Sequence, residues 1–297
     1  MKHAIKTNRG TSGFENISEI YFDQLSESFC CLLNGYHVEQ KFDLVVGNFL
    51  ELESDVYQAM MNHMVGRYPG WVNFLEVQLT VDRRLSNFLS ACRTYFDQIY
   101  RHMVLCFKGD RSQAKSLKAY ASSLYEKSFD YRLMEALRNH VQHHSLAVHS
   151  AKVGGRHVGH GDQRVTEFGV GFSIYKRELS YNKRFKASVL AEMKDEIEIV
   201  STVRGYIDCI NLVQLRARAL LDSRLEESRL MLMDASGGST PHDSWFEPVA
   251  IRVGDDGSTE KTIPLVPLHG EQIQKLRMKN TARSKFKSGY FTSSPLN

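Results

Sequence analysis

The residues with the clearest chemical potential lie in one short stretch, from Glu135 to His144, which contains Arg138, Asn139 and His143. On a helix with about 3.6 residues per turn, Asn139 and His143 share a face, and Arg138 and His143 lie about 140° apart around the axis. A guanidinium offers two parallel hydrogen bonds to a phosphate, and an imidazole exchanges a proton near neutral pH. RNA cleavage by attack of the 2′-hydroxyl on the adjacent phosphate requires these two groups and no metal. If the helix frays at His143, both side chains can converge on one anion.

The same residues also have structural interpretations. Arg138 follows Glu135 by three residues, the spacing of a helical salt bridge, and a histidine at position 143 would be favoured by the dipole at a helix C-terminus. A metal site is a further alternative, because His140 and His144 are four residues apart. Loop histidines could add ligands to that pair: His149, His157 and His160. We expect no dedicated metal site here, since the charge of Arg138 would oppose a bound cation.

The motif Arg138-Asn139-x-x-x-His143 resembles the Arg-polar-x3-His signature of the HEPN superfamily. The longer strings at 131–143, 83–90 and 93–98 also resemble a group of uncharacterised bacterial HEPN-like proteins. The resemblance spans roughly residues 40–225. It implies an all-α bundle, and many members of the superfamily are metal-independent endoribonucleases of toxin–antitoxin and phage-defence systems.

The resemblance also implies a dimer in which two Arg/His motifs face each other across the interface. It implies a polar residue from another helix of the bundle in the site, for which Asn87 and Asp97 are the candidates; Asp97 could orient a histidine or the arginine. Many family members carry a tyrosine shortly after the histidine, whereas His144-Ser145 follows here.

Positive charge is concentrated in two segments of a chain whose net charge is +4. Residues 132–186 hold ten Lys/Arg against four Asp/Glu, and residues 270–297 hold six against one. Segregated positive charge is expected where the partner is an anion such as nucleic acid. We expect RNA to be guided to the site by basic side chains after the motif: Lys152, Arg156, Arg164, Lys176 and Arg177.

Apolar residues at spacings of three and four predict a mostly helical chain. Residues 70–240 contain no proline, which suits long uninterrupted helices. Helices are expected over six ranges, the last of them broken around Ser201-Thr202: 14–34, 38–65, 71–107, 111–126, 129–144 and 185–234.

The segments between and after these helices are predicted to be loops and strands. Glycines among Lys, Arg and His predict a flexible basic loop at 150–163, and alternating apolar residues predict one or two strands at 165–181. A hairpin is expected at 245–267 around the turn Asp255-Asp256-Gly257, followed by a polar, basic, partly disordered tail at 270–297.

These patterns predict a predominantly α fold, an up-and-down helical bundle of the HEPN-like kind with a small β insertion and a C-terminal β-hairpin appendage. The composition changes at residues 236–241, which predicts a linker there. We therefore expect a helical HEPN-like bundle at 1–236, with the basic loop and short strands at about 150–181. Residues 237–297 would hold the linker, the hairpin and the tail.

Composition excludes several classes of protein. A chain with 42% hydrophobic and 24% charged residues is too apolar to be disordered, and no apolar run reaches the ~18–20 residues of a membrane helix. The first residues lack the apolar core of a signal peptide, and five cysteines without a Cys-x-x-Cys pair indicate reduced thiols. A cytoplasmic protein with no membrane role is expected.

The sequence thus predicts an HEPN-type, metal-independent endoribonuclease, a toxin or phage-defence effector. Arg138 would stabilise the phosphate, His143 would transfer the proton, and Asn139 would position the substrate or His143. The expected partners are RNA, a second copy of the chain and an antitoxin or defence-system protein, and no cofactor is expected. The alternative is a non-catalytic HEPN-like module that binds RNA or a partner protein.

Overall fold

The structure is a computed structural model, and it describes residues 2–7, 13–67, 71–160, 164–238, 248–281 and 291–293. These residues are mostly helical, with two small antiparallel sheets, so the predominantly α prediction is confirmed. Two predicted features lie partly outside the described residues: the linker at 236–241 and the basic tail at 270–297.

Helices account for most of the described chain, and three of them match the predicted ranges to within one or two residues: 71–107, 111–126 and 129–144. Those described residues contain eight helices: α1 (Glu19–Met64), α2 (Trp71–Cys106), α3 (Ser112–Lys127), α4 (Phe129–His143), α5 (Lys176–Ser180), α6 (Ala187–Glu192), α7 (Ile199–Ala235) and α8 (Leu268–Lys279). After α2 the chain turns through left-handed residues, Lys108 with φ 54° and Gly109 with φ 91°. The Gly109 amide donates a hydrogen bond to the Val104 carbonyl at 2.9 Å, which caps the C-terminal end of α2.

The strands of the described residues form two sheets in which each pair is antiparallel. They are β1 (Lys2–Thr7), β2 (Gly13–Asn16), β3 (Ser150–Val158), β4 (Val165–Tyr175), β5 (Glu196–Glu198), β6 (Val249–Val253), β7 (Thr259–Pro264) and β8 (Phe291–Ser293). One sheet has the order β2-β1-β6-β7. The other has the order β3-β4-β5, with β8 also paired to β4.

The chain divides into two compact units, and each draws on three separate stretches. Unit 1 is built from 1–43, 95–119 and 214–281. Unit 2 is built from 44–94, 120–213 and 282–297. This division differs from the predicted boundary at residue 236, because each of the long helices α1, α2 and α7 contributes to both units.

Unit 1 contains a buried carboxylate, Glu39, that is only 2% exposed and has two arginine partners. Arg218 donates from Nη2 to Glu39 Oε2 at 2.7 Å, and Arg277 donates from Nε to Oε1 at 2.8 Å. Gln214 also donates to Glu39 at 3.0 Å and accepts a hydrogen bond from the Tyr95 hydroxyl. The carboxylate of α1 is therefore paired with guanidinium groups of α7 and α8, and such pairing is what allows a charge to be buried.

Unit 2 contains a second buried ion pair, between Glu53 on α1 and Arg204 on α7. The pair is bidentate, with both nitrogen–oxygen distances at 2.7 Å. Beside it, aromatic rings from three helices pack at centroid distances of 6.0 to 6.1 Å: Phe49, Phe88 and Tyr206. These contacts fix the N-terminal part of α7, on which α4 packs.

The helices predicted separately at 14–34 and 38–65 are one continuous helix, α1. Gly35, which lies between the two predicted ranges, is buried inside this helix. A Cβ at Gly35 would lie 2.4 Å from Leu225 Cδ2 and 3.3 Å from Ile273 Cδ1. The glycine is therefore explained by close packing of α7 and α8 rather than by a turn.

The segment 150–158 was predicted to be a loop and is instead strand β3, paired with β4 along its whole length. A Cβ on Gly154, which lies opposite Gly169, would meet nothing within 4 Å. Another of its glycines is closely approached by β4, since a Cβ on Gly155 would come 3.1 Å from Thr166 Cγ2. Glycine in a strand often marks such a close approach, which the sequence pattern does not distinguish from a loop.

The predicted C-terminal hairpin exists as β6 and β7, but it is not an appendage. Strand β6 pairs with β1, with Ile251 opposite Ala4, so the hairpin belongs to a four-stranded sheet with the N-terminal strands. Strands β1 and β2 were not predicted from the sequence. The pairing of β1 with β2 is local, whereas that of β1 with β6 joins residues far apart in the chain and leaves no local signal.

The helix predicted over 185–234 is also divided differently, because α6 ends at Glu192 and α7 begins at Ile199, after β5. The Glu198 carboxylate accepts the backbone amides of Val200 at 3.1 Å and Ser201 at 2.7 Å. Ser201, the predicted break, thus lies in the capped first turn of α7.

The first part of the predicted tail is helix α8 rather than disordered chain. Two of its basic residues form ion pairs, Arg277 with Glu39 and Asp222, and Lys279 with Asp43. The charges of Arg277 and Lys279 are therefore offset within unit 1.

The close packing of α4 on α7 gives a test at Gly205. A Cβ on Gly205 would lie 1.9 Å from Asp130 Oδ2 and 2.7 Å from its Cγ. We expect Gly205→Ala to lower the free energy of unfolding by about 1–3 kcal/mol, the usual cost of overpacking. Urea denaturation followed by circular dichroism measures this change.

Gly47→Ala is the matched control, because a Cβ there meets nothing within 4 Å and α1 is helical at that position. It should raise the free energy of unfolding by about 0.5–1 kcal/mol. In an Asp130→Ala background Gly205→Ala should cost much less; an equal cost in both backgrounds would contradict the steric explanation.

Candidate functional site

Helix α4 carries the predicted motif, and its sequence explains where it begins and which face it buries. Ser128 is the N-cap, with its hydroxyl accepting the Tyr131 amide at 3.2 Å, and Asp130 adds a negative charge in the first turn. One side of the helix is buried in unit 2: Tyr131, Leu133, Met134, Ala136, Leu137 and His140. The helix ends at His143, so the motif occupies its last two turns.

The guanidinium of Arg138 is held by residues of its own helix. Nη1 donates to Gln142 Oε1 at 3.1 Å, Nη2 donates to Asn139 Oδ1, and Nε lies 3.9 Å from Glu135 Oε2. The side chain is 15% exposed. Because Gln142 directly precedes His143 and Asn139 lies one turn before it, these bonds draw the guanidinium toward the turn that carries His143.

Glu135 is in turn held by Tyr206, whose hydroxyl donates to Glu135 Oε1 at 2.6 Å. Burial raises the pKa of Tyr206 well above its ordinary value, so the phenol keeps its proton and remains a donor. The Tyr206 ring also packs 5.1 Å from that of Tyr131. Tyr206 therefore fixes the carboxylate that faces Arg138.

His143 and Asn139 are both exposed at the end of α4. An exposed imidazole beside a braced guanidinium could exchange a proton with a ligand whose phosphate the guanidinium contacts. This arrangement is compatible with the chemistry that the sequence suggests.

His140, by contrast, is a buried structural residue. Asn182 donates from Nδ2 to His140 Nδ1 at 3.0 Å, and the Asn182 orientation is fixed because its Oδ1 accepts the Arg184 amide. The remaining nitrogen, Nε2, lies 2.9 Å from Ser145 Oγ and must carry the proton. Burial, helped by two neighbouring histidines, lowers the pKa of His140 to about 4, so the ring is neutral at pH 7.

The alternative of a metal clip at His140 and His144 does not fit this geometry. Their rings stack at a centroid distance of 5.0 Å, and both nitrogens of His140 are already hydrogen bonded. His149 Nδ1 accepts the Tyr175 amide, and His157 and His160 belong to the exposed end of the β3–β4 hairpin. Within the described residues, no group of three or more His, Cys, Asp or Glu side chains could hold a metal ion.

The two expected supporting residues lie on α2, Asn87 in unit 2 and Asp97 in unit 1. Both are exposed. Among the described residues the polar partners of Arg138 are Glu135, Asn139 and Gln142, so Asn87 does not contact its guanidinium. The expected supporting role of Asn87 and Asp97 stays a prediction.

Most of the predicted RNA-binding residues already have partners. Lys152 pairs with Glu196, and Arg156 pairs with Glu167 at 2.6 Å. Lys176 donates to the Met193 carbonyl at 3.1 Å, Arg177 is 80% exposed and lies 3.4 Å from Glu178, and Arg164 is exposed. Arg164 and Arg177 therefore keep the most accessible charge in this set.

Two residues of the site were missed from the sequence. Gln142 lies four residues after Arg138, a spacing that could have indicated its hydrogen bond. Tyr206 lies more than sixty residues beyond Glu135, on another helix, so no local pattern could have linked the two.

A buried aspartate fixes the chain where it leaves α4. Asp82 on α2 is 2% exposed, and its Oδ1 accepts the backbone amides of Ala147 at 3.1 Å and Val148 at 2.9 Å. Its Oδ2 is buried and has no hydrogen-bond partner in the described part of the chain. Burial raises the pKa of Asp82 to about 6, although the two backbone hydrogen bonds lower it.

This carboxyl group makes stability depend on pH. Unfolded aspartate ionises near pH 4, whereas folded Asp82 keeps its proton to about pH 6. Between these values the folded state binds more protons, so the contribution of Asp82 to the free energy of unfolding falls as pH rises. This contribution falls by up to about 3 kcal/mol over the whole range. The free energy of unfolding of Asp82→Asn, relative to that of wild type, should therefore rise by that amount between pH 4 and pH 7. Urea denaturation at both pH values measures this change.

Asp110→Asn is a control of opposite sign, because hydrogen bonds from Ser112 lower the pKa of that exposed carboxyl. Its free energy of unfolding relative to wild type should fall, not rise, as the pH increases. Parallel pH profiles for wild type and Asp82→Asn would contradict the burial explanation.

Comparison with known proteins adds no further assignment. No family model, curated protein or solved structure matches the chain. No helix of the described ranges combines the length and the apolar character needed to cross a membrane.

Proposed function

We propose that the chain is an HEPN-type, metal-independent endoribonuclease whose site is formed by Arg138, Asn139 and His143. One observation carries the proposal: the Arg138 guanidinium is braced by Gln142 and Asn139 beside the turn that carries the exposed His143. The two residues start about 140° apart around the helix, and the reach of the arginine brings its charge back toward the histidine.

The reaction follows from these two groups. His143 accepts the proton of the ribose 2′-hydroxyl, whose oxygen forms a bond to the adjacent phosphorus as the bond from phosphorus to the 5′ oxygen breaks. The 5′ oxygen takes a proton from solvent. The products are a 2′,3′-cyclic phosphate and a 5′-hydroxyl end. Arg138 stabilises the negative charge that builds on the phosphate oxygens.

Asn139 has a positioning role in this scheme. Its side-chain oxygen accepts the hydrogen bond from Arg138 Nη2, so its amide nitrogen remains available to a substrate oxygen. Glu135, held by Tyr206, supplies the carboxylate that keeps the guanidinium from turning away. RNA would approach over the exposed charges of Arg164 and Arg177.

The resemblance to the HEPN superfamily extends the proposal to the assembly. Two copies of the chain would bring two Arg138/His143 pairs to one RNA strand. A toxin or phage-defence effector of this kind would be restrained by an antitoxin or another protein of its defence system. The second copy of the chain and the restraining protein are both part of this proposal.

A non-catalytic module that binds RNA or a partner protein is the second candidate. The observation that favours it is that Arg138, Lys152 and Arg156 already have partners within the chain. In that case the Arg138 bonds stabilise the end of α4, and losing them changes stability rather than chemistry.

Cleavage of mixed cellular RNA by the purified chain in EDTA distinguishes the two candidates. We expect wild type to produce 2′,3′-cyclic phosphate ends. His143→Ala should lose about 10²–10⁴-fold in rate as a proton-transfer group, and Arg138→Ala about 10²–10³-fold as a charge stabiliser. Thermal melts of each variant show whether the fold is kept.

Two exposed residues provide matched controls: His144→Ala removes the neighbouring imidazole, and Arg216→Ala removes an exposed helical guanidinium elsewhere on the chain. Both should retain the wild-type rate. Cleavage that survives in Arg138→Ala and His143→Ala would overturn the site. A wild type that binds RNA without cutting it would favour the module.

A further inference from the structure

Two histidines outside the α4 site lie side by side in unit 1, His37 on α1 and His102 on α2. Their ring centroids are 5.1 Å apart and their planes differ by 34°. Both side chains are partly exposed. A ligand from solvent can therefore reach this pair.

The tautomer of His102 is fixed by Asn34. Asn34 Nδ2 donates to the Cys30 carbonyl at 2.8 Å, so its Oδ1 is the atom that lies 2.9 Å from His102 Nδ1. An amide oxygen only accepts, so His102 Nδ1 must carry the proton and Nε2 must carry a lone pair. Lys41 and Arg101 carry positive charge near the His102 ring.

His37 is arranged in the same way. Its Nδ1 lies 3.4 Å from the amide oxygen of the exposed Gln40, and with this orientation of the amide the proton lies on Nδ1 and the lone pair on Nε2. Among the described residues neither Nε2 atom has a hydrogen-bond partner. A histidine that binds a metal commonly donates its other ring nitrogen to an oxygen in this manner.

We propose that His37 and His102 form a two-histidine site for a divalent transition-metal ion such as Zn²⁺, bound through both Nε2 atoms, with water in the remaining positions. The ring separation agrees with this proposal. Two imidazoles that bind one tetrahedral zinc at about 2.0–2.1 Å have their ring centroids about 5 Å apart. The metal would join α1 to α2 within unit 1.

His140 and His144 supply an internal contrast. Their ring centroids are also close, at 5.0 Å, but both nitrogens of His140 are hydrogen bonded to other residues. Ring proximity alone therefore does not distinguish the two pairs, whereas the available lone pairs do. Lys41 and Arg101 oppose a dication near His102, so the site should bind zinc more weakly than a four-ligand structural site.

Calorimetric titration of the full chain with ZnCl₂ tests the proposal, with Co²⁺ as a spectroscopic probe of coordination. We expect one metal ion per chain, and a loss of at least about tenfold in affinity in both His37→Gln and His102→Gln. Zn²⁺ should also raise the Tm of wild type and leave that of His37→Gln unchanged.

His144→Gln is the control and should bind zinc as wild type does. Absence of binding, or binding that persists in His37→Gln or His102→Gln, would overturn the proposal. If His102→Gln does not fold, as a melt without metal would reveal, the partly exposed His37→Gln decides the outcome. RNA cleavage in EDTA does not enter this test, so the two proposals can fail independently.

Discussion

The packing of α4 against the N-terminal part of α7 is the contact on which the candidate site depends. Asp130 fits over Gly205, Tyr131 packs on Tyr206, and the Tyr206 hydroxyl holds Glu135. This row of contacts buries one face of α4 and leaves the opposite face, with Asn139 and His143, exposed. The orientation of the motif is therefore a consequence of core packing, and the reach of Arg138 along the helix completes the site.

Local periodicity predicted the helical parts of the fold well, because α2, α3 and α4 each bury one regular stripe of apolar residues. The errors fall where a distant partner decides the local structure. Gly35 lies inside α1 because Leu225 packs there, and the glycines of β3 face strand β4. Likewise β1 pairs with β6 from a distant part of the chain, and Arg277 of α8 pairs with the buried Glu39.

The site could be predicted in part for the same reason. Arg138, Asn139 and His143 are local to one helix, so their spacing already indicated a shared end of α4. The difference between the exposed and the buried histidine could not be predicted from spacing: His140 and His143 are three residues apart, but only His140 is enclosed by Asn182 and Ser145. Similarly, the ion pairs of Lys152 and Arg156 depend on strand register, which the sequence did not indicate.

The central claim is that Arg138 and His143 act on the same phosphate in one step, and a double-mutant cycle on RNA cleavage tests it most directly. The rates of Arg138→Ala, His143→Ala and the combined variant would be measured in EDTA. Groups that act as a unit are strongly non-additive, so the account predicts that the combined variant is about as slow as the slower single variant. Losses that multiply in the combined variant would show that the two residues act independently and would contradict the account.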